Sequence, residues 1–140
     1  MLLARAAGTW YGCPLADVRE VLPSGALARL PGAPPHVLGL LNVRGRLVTV
    51  MDLGRRLDPA AAVGEGGYVL IVTVGDRQAG CRVDAVARAV PLAELHPSAG
   101  AGNAGVGGIV MGVGEVDGEP VAVLDLPAFV RETLLDPGER

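Results

Sequence analysis

One stretch of this chain occurs twice. Residues 37–53 read VLGLLNVRGRLVTVMDL and residues 110–126 read VMGVGEVDGEPVAVLDL. In register they share Val37/Val110, Gly39/Gly112, Val43/Val116, Gly45/Gly118, Val48/Val121, Val50/Val123, Asp52/Asp125 and Leu53/Leu126, always 73 residues apart. An earlier pair, Gly12-Cys13-x-Leu15-x-x-Val18 and Gly80-Cys81-x-Val83-x-x-Val86, recurs 68 residues apart. Solenoid repeats have periods of roughly 20–50 residues. A longer period implies a small β unit, duplicated and folded as two similar halves, 1–57 and 67–135, joined by a loop at 58–66.

A chain of 140 residues has room for one domain, or for two very small ones sharing a core. Half of it is hydrophobic, but only Trp10, Tyr11, Tyr68 and Phe129 are aromatic, so Val, Leu, Ile and Ala must fill the interior. All twelve basic residues are Arg, and the net charge of −3 lacks the basic footprint of non-specific nucleic-acid binding. Met1–Ala6 has no basic segment ahead of its apolar residues, which argues against a secretory signal. No apolar run approaches the ~18 residues of a membrane span. The two cysteines then read as reduced thiols, and the expected place is the cytoplasm, without direct membrane insertion.

Two hairpins are expected at Leu2–Ala6 with Trp10–Leu15 and at Tyr68–Val74 with Gln78–Val83, each across a Gly-containing turn. Val18, Val21 and Leu22 follow the first at roughly helical spacing. Val86, Ala89 and Val90 follow the second, and Pro23 and Pro91 end these segments. The repeated block is itself a hairpin, turning at Arg44-Gly45 and Asp117-Gly118. Its return strand Leu47–Met51 is apolar on both faces and is expected to be covered on both. Asp52 and Asp125 close strands and are placed to cap short helices. A short C-terminal helix is expected at Val130–Leu135.

Several motifs suggest chemistry and fail on context. Gly100-x-Gly102-x-x-Gly105 has the dinucleotide spacing, but a His-Pro-Ser stretch precedes it and a strand follows. Cys13, Cys81, His36 and His96 lack the close paired spacing of zinc ligands, and small buried residues explain the cysteines. Each Cys is expected to face the core of its own half. The symmetric placement of Asp52 and Asp125 favours capping over acid–base catalysis. No catalytic residue, cofactor or metal is expected. Arg44 is the exception to this run of bland readings. An Arg at a turn tip is ordinarily just solvated, yet here it replaces the Asp of the second copy and arrives with Asn42, where that copy has Glu115.

At Asn42-Val43-Arg44-Gly45, followed by an apolar strand ending in Asp52-Leu53, the chain resembles the CheW-like proteins, adaptors of bacterial chemosensory arrays. The resemblance extends to Val18-Arg19-Glu20-Val21, Val83-Asp84-x-Val86, and Gly112 through Asp125-Leu126. It implies a single CheW-like domain over 1–140 with an all-β fold and short helices. The fold would be two small SH3-like five-stranded β-barrels related by a pseudo-two-fold around a shared core. It implies a non-enzymatic scaffold that couples methyl-accepting chemoreceptors to a CheA-type histidine kinase. Such an adaptor would be recruited to receptor arrays and would bind no nucleic acid. A CheW-like adaptor of another two-component or motility pathway, without a classical chemoreceptor, is the alternative. Matched residue by residue, Val18, Glu20 and Val21 fall on the receptor-side segment, a groove taking the receptor's helical hairpin tip. Arg44 and Gly45 fall on a partner interface for the kinase regulatory domain, the receptor or both. The spacing of Val18 and Val21 serves a short helix packed on the core equally well.

Overall fold

A computed structural model describes residues 1–25, 27–28, 31–32, 37–62, 64–91 and 108–135. The strands are β1 (Leu2–Ala6), β2 (Thr9–Cys13), β3 (Glu20–Pro23), β4 (Val37–Val43), β5 (Arg46–Asp52), β6 (Tyr68–Val74), β7 (Arg77–Val83), β8 (Ala85–Ala89), β9 (Val110–Val116) and β10 (Glu119–Leu124). Two short α-helices, α1 (Leu53–Leu57) and α2 (Leu126–Val130), follow β5 and β10, and a π-helical turn, Arg131–Leu135, continues α2.

The strands form two five-stranded sheets, ordered β3-β6-β7-β5-β4 and β8-β1-β2-β10-β9. The hairpin β4–β5 corresponds to β9–β10, β6–β7 to β1–β2, and β3 to β8. Pairing registers repeat as well. β5 runs parallel to β7 with Val50 opposite Gly80, and β10 runs parallel to β2 with Val123 opposite Gly12. On the edge strands, Val21 faces Leu70 as Ala89 faces Leu2. The molecule is all-β with short helices, in two five-stranded units related by a pseudo-two-fold.

These units are not the halves of the sequence. The first unit takes β6 and β7 from the second repeat, and the second unit takes β1 and β2 from the first. The cause is the pair of parallel contacts. A tight turn joins only antiparallel neighbours, so β5 and β10 each gain a parallel partner from the other repeat.

Alternation along the strands produces three cores. Val43, Val48, Val50, Val69 and Ile71, with Leu22, Leu27, Leu38 and Leu41, fill the first barrel. Met1, Val90, Val121 and Val123, with Leu3 and Val116, fill the second at equivalent positions. Between the units lies a shared core that includes Leu2, Met51, Leu53, Leu70, Leu124, Leu126 and Phe129. Cys13 and Cys81 are both in this shared core, not in the cores of separate halves. They stand next to the inward glycines Gly12 and Gly80, so the alternation turns them to the opposite face of their sheets. Burial pushes the Cys13 thiol up to about 12 and raises Cys81 still further.

Two further expectations need correction. The segment carrying Val18, Val21 and Leu22 is not a helix on the core. Leu15–Asp17 forms one 3₁₀ turn, and Glu20–Pro23 is an edge strand paired with β6. An edge position tolerates Pro23, because one side of the strand needs no ladder donor. The return strand β5 is covered on both faces only towards its end. Met51 is fully buried in the shared core, whereas Leu47, near the turn, is 66% exposed. The expected caps form. The Asp52 carboxylate accepts from the Arg55 amide at 2.9 Å, and that of Asp125 from the Ala128 amide at 3.1 Å. His36, His96 and the Gly100–Gly105 motif lie outside the described residues.

Candidate functional site

The first barrel has an ion pair at each mouth. At one mouth stands the β4–β5 turn. Arg44 and Gly45 both have positive φ, 51° and 85°, the pattern of a two-residue hairpin turn. Asn42 supports the turn, its Oδ1 accepting from the Gly45 amide at 2.9 Å. Arg44 is thereby held out from the barrel with its side chain 75% exposed.

That side chain reaches across to β3. Arg44 Nη1 donates to Glu20 Oε2 at 2.8 Å and Nη2 to Oε1 at 2.6 Å, a bidentate fork. The hydrogen bonds from Arg44 hold the Glu20 carboxyl below the usual glutamate range, and the same contact raises the Arg44 guanidinium. β3 is placed for this by β6, which pairs along it, and by the Arg19 amide bonded to the Ile71 carbonyl at 2.7 Å.

The resemblance puts Glu20 on the receptor-side segment and Arg44 on an interface for the kinase, the receptor or both. The structure brings the two side chains into contact. Val21, next along β3, is 36% exposed on the outward face. Val18 is half-buried against the shared core. An outward apolar residue, a fixed acid–base pair and an exposed hairpin tip therefore occupy the same end of one unit. That arrangement can hold a partner by shape and charge. Among the described residues, no group of three or more His, Cys, Asp and Glu could hold a metal.

The opposite mouth holds Arg82, which sequence reasoning missed. Its side chain is only 5% exposed. Nη1 donates to Asp52 Oδ1 at 3.2 Å and to Asp84 Oδ1 at 3.0 Å, and Nε donates to the Gly66 carbonyl at 2.8 Å. The Asp52 carboxyl is nonetheless raised, because burial outweighs the Arg55 amide and Arg82. A signal was present in the sequence. A charged residue interrupts the run Ala79-Gly80-Cys81-x-Val83, and the first copy has Pro14 at its place.

The CheW-like domain profile matches residues 1–134. The chain belongs to the CheW-like domain family. Its relatives include protein FrzA of Myxococcus xanthus, 31% identical over 115 residues that make up 80% of this chain and 71% of FrzA. Protein PilI of Pseudomonas aeruginosa is 38% identical over 59% of this chain, and the matched stretch is 47% of its own length. The chemotaxis protein CheW of Rhizobium meliloti is 29% identical over 78% of this chain and 72% of that protein. Among solved structures, the scaffolding protein TtCheW from Thermoanaerobacter tengcongensis superposes with a TM-score of 0.78 at 25% identity, covering 89% of this chain and 82% of that one. This CheW-like chain is thus a scaffold protein of chemotaxis-type signalling. No helix among the described residues is long and apolar enough to cross a membrane.

Proposed function

We propose that this CheW-like protein is a non-catalytic adaptor coupling methyl-accepting chemoreceptors to the regulatory domain of a CheA-type histidine kinase, recruited to receptor arrays from the cytoplasm. The observation that carries this reading is the Glu20–Arg44 fork. It ties the segment matched to the receptor side, with Val18 and Val21, to the hairpin matched to the partner interface, with Arg44 and Gly45. One partner's docking would thus be felt at the other's contact, as coupling requires. The small rigid β body beside an apolar residue row suits the apolar stripe of a helix.

Co-sedimentation with a receptor signalling fragment and the kinase tests the reading. Wild type should bring the kinase down with the receptor. Arg is a favoured interface anchor whose loss costs ~2 kcal/mol or more. Arg44→Ala should therefore weaken ternary assembly roughly thirtyfold, at ~1.4 kcal/mol per decade. Failure of wild type to bind either partner removes the coupling function. Binding to a kinase but to no receptor fragment would favour an adaptor of another two-component or motility pathway.

A further inference from the structure

The edge strand β3 is held at both ends. At its start is the fork from Arg44, which the second unit replaces with Asp117. At its far end the Ser24 amide donates to the Gly67 carbonyl at 3.1 Å, extending the β3–β6 ladder by one pair. Gly66 and Gly67 lie where the link meets the second repeat, and Arg82 lies directly beneath them. Its Nε holds the Gly66 carbonyl at 2.8 Å. A Cβ on Gly67 would come within 2.3 Å of the Val83 carbonyl oxygen and 3.0 Å of Arg82 Nη2. The link is therefore laid tightly on the guanidinium. In the first copy Pro14 stands where Arg82 does, and proline has no polar side chain to offer.

We propose that Arg82 is a positioning residue for the partner-binding strand. Through Gly66 it fixes the link, through Gly67 the link fixes Ser24, and so the C-terminal end of β3 is set. Glu20 and Val21 are then presented from a strand anchored at both ends. The inference rests on the reading that β3 meets a partner. Only a guanidinium suits the post. Its planar fork serves Asp52, Asp84 and the Gly66 carbonyl together, whereas an ammonium is a single point of charge.

Two variants separate positioning from bulk stability. Arg82→Lys keeps a cation beside Asp52 and Asp84 and gives up the fork. Arg82→Met with Asp52→Asn removes the buried charge pair while Asn keeps the helix cap. Hydrogen exchange reads the strand directly. Ser24 bonds to Gly67, and the alternation of an antiparallel ladder turns Leu22 towards β6 as well. In both variants the Leu22 and Ser24 amides should exchange about tenfold faster, while those of β9 and β10 keep their rates. Co-sedimentation with the receptor fragment should fall in parallel. Wild-type exchange at Leu22 and Ser24 overturns the proposal, and so does a uniform acceleration across both sheets. A loosened strand with undiminished co-sedimentation overturns the link to binding. If β3 loosens as expected but wild type itself binds neither receptor nor kinase, the coupling function fails while the control of β3 by Arg82 stands.

Discussion

The two hairpin tips are built alike and charged oppositely. Arg44-Gly45 and Asp117-Gly118 have φ values of 51° and 85° against 52° and 81°, so the backbone turn is the same. Around the first tip stand Asn42, Arg44 and Arg46, and around the second Glu115, Asp117 and Glu119. Folding is satisfied by either set, because what the turn demands is the positive φ that Gly supplies. The difference in charge is thus free of the fold and available for recognition. The same holds at the other end of each barrel. Asp52 and Asp125 both cap a helix, yet among the described residues only Asp52 is also bound by a buried Arg. The first unit carries polar contacts at both mouths, and we place partner binding at the one with the Glu20–Arg44 fork.

The largest contrast should come from the caps. Asp125→Ala loses one cap, about 1 kcal/mol. Asp52→Ala loses a cap and also leaves Arg82 without one of its buried partners, about 3–5 kcal/mol for breaking such a pair. Chemical denaturation of the two variants checks this, and equal losses would erase the distinction between the units. The pH dependence sharpens it. The Asp52 carboxyl is raised in the folded state by burial. Its titration therefore adds stability below the ordinary value of 3.8, and that contribution is lost as pH rises through the raised value. Wild type should gain on Asp52→Asn as pH falls through that window. Glu20 is lowered by Arg44, so its contribution is present above the ordinary value of 4.5 and is lost as pH falls through the lowered one. Loss of receptor binding in acid should accordingly be mimicked by Glu20→Gln at neutral pH.

A smaller contrast lies inside the barrels. Gly80 and Gly12 are equivalent, and each makes room for a side chain from the neighbouring hairpin strand. A Cβ on Gly80 would sit 2.6 Å from Val69 Cγ1 and 3.1 Å from Val50 Cγ2. Both are stiff β-branched side chains. A Cβ on Gly12 would meet Met1 Sδ at 2.3 Å, the mobile end of a flexible chain. Gly80→Ala should therefore cost about 1–3 kcal/mol by overpacking, and Gly12→Ala less than about 1 kcal/mol. If Gly12→Ala proves the worse, Met1 is more tightly fixed than its chemistry suggests.

Much of this fold was legible because it is written in local signals. Turn glycines, alternation around Val48 and Val50, and strand-ending Asp residues each act within a few residues of themselves. The internal repeat then revealed the pseudo-symmetry. What escaped was set by long-range pairing. Nothing local says that β5 chooses β7, from the other repeat, as its parallel neighbour, so the sequence halves were mistaken for the structural ones. The cysteines followed that error, since a shared core exists only once the hairpins are exchanged. The spacing of Val18, Val21 and Leu22 fits helix and strand over so short a run, and β6 decided it. At the site, Arg44 was visible as a break in the repeat. Its partner Glu20 was not, because 24 residues separate them and the barrel's curl brings them together. Arg82 could have been found by the same break-in-symmetry test that found Arg44.

The smallest expected effect is on the stability of Arg44 variants. The fork to Glu20 has good bidentate geometry, which argues for some stabilisation. Against it, the Arg44 side chain is 75% exposed, so water screens the guanidinium. Exposed ion pairs are generally worth ~0–1 kcal/mol. Removing Arg44 leaves Glu20 at a mouth open to water, not in an apolar interior, so no buried charge is stranded. Arg44→Ala also replaces one non-glycine residue at positive φ with another, and the turn strain is unchanged. The loss should therefore stay below about 0.5 kcal/mol, the range of ordinary surface substitutions. Asp117→Ala, at the same φ in the second unit, is the matched control and should fall in the same range. Thermal melts of the two proteins, run beside co-sedimentation, then separate folding from function. Equal melts with a binding defect confined to Arg44→Ala place the difference between the units in recognition. A melt that drops for Arg44→Ala alone would make the fork a clasp that closes the first barrel, and the charge at its tip a matter of folding after all.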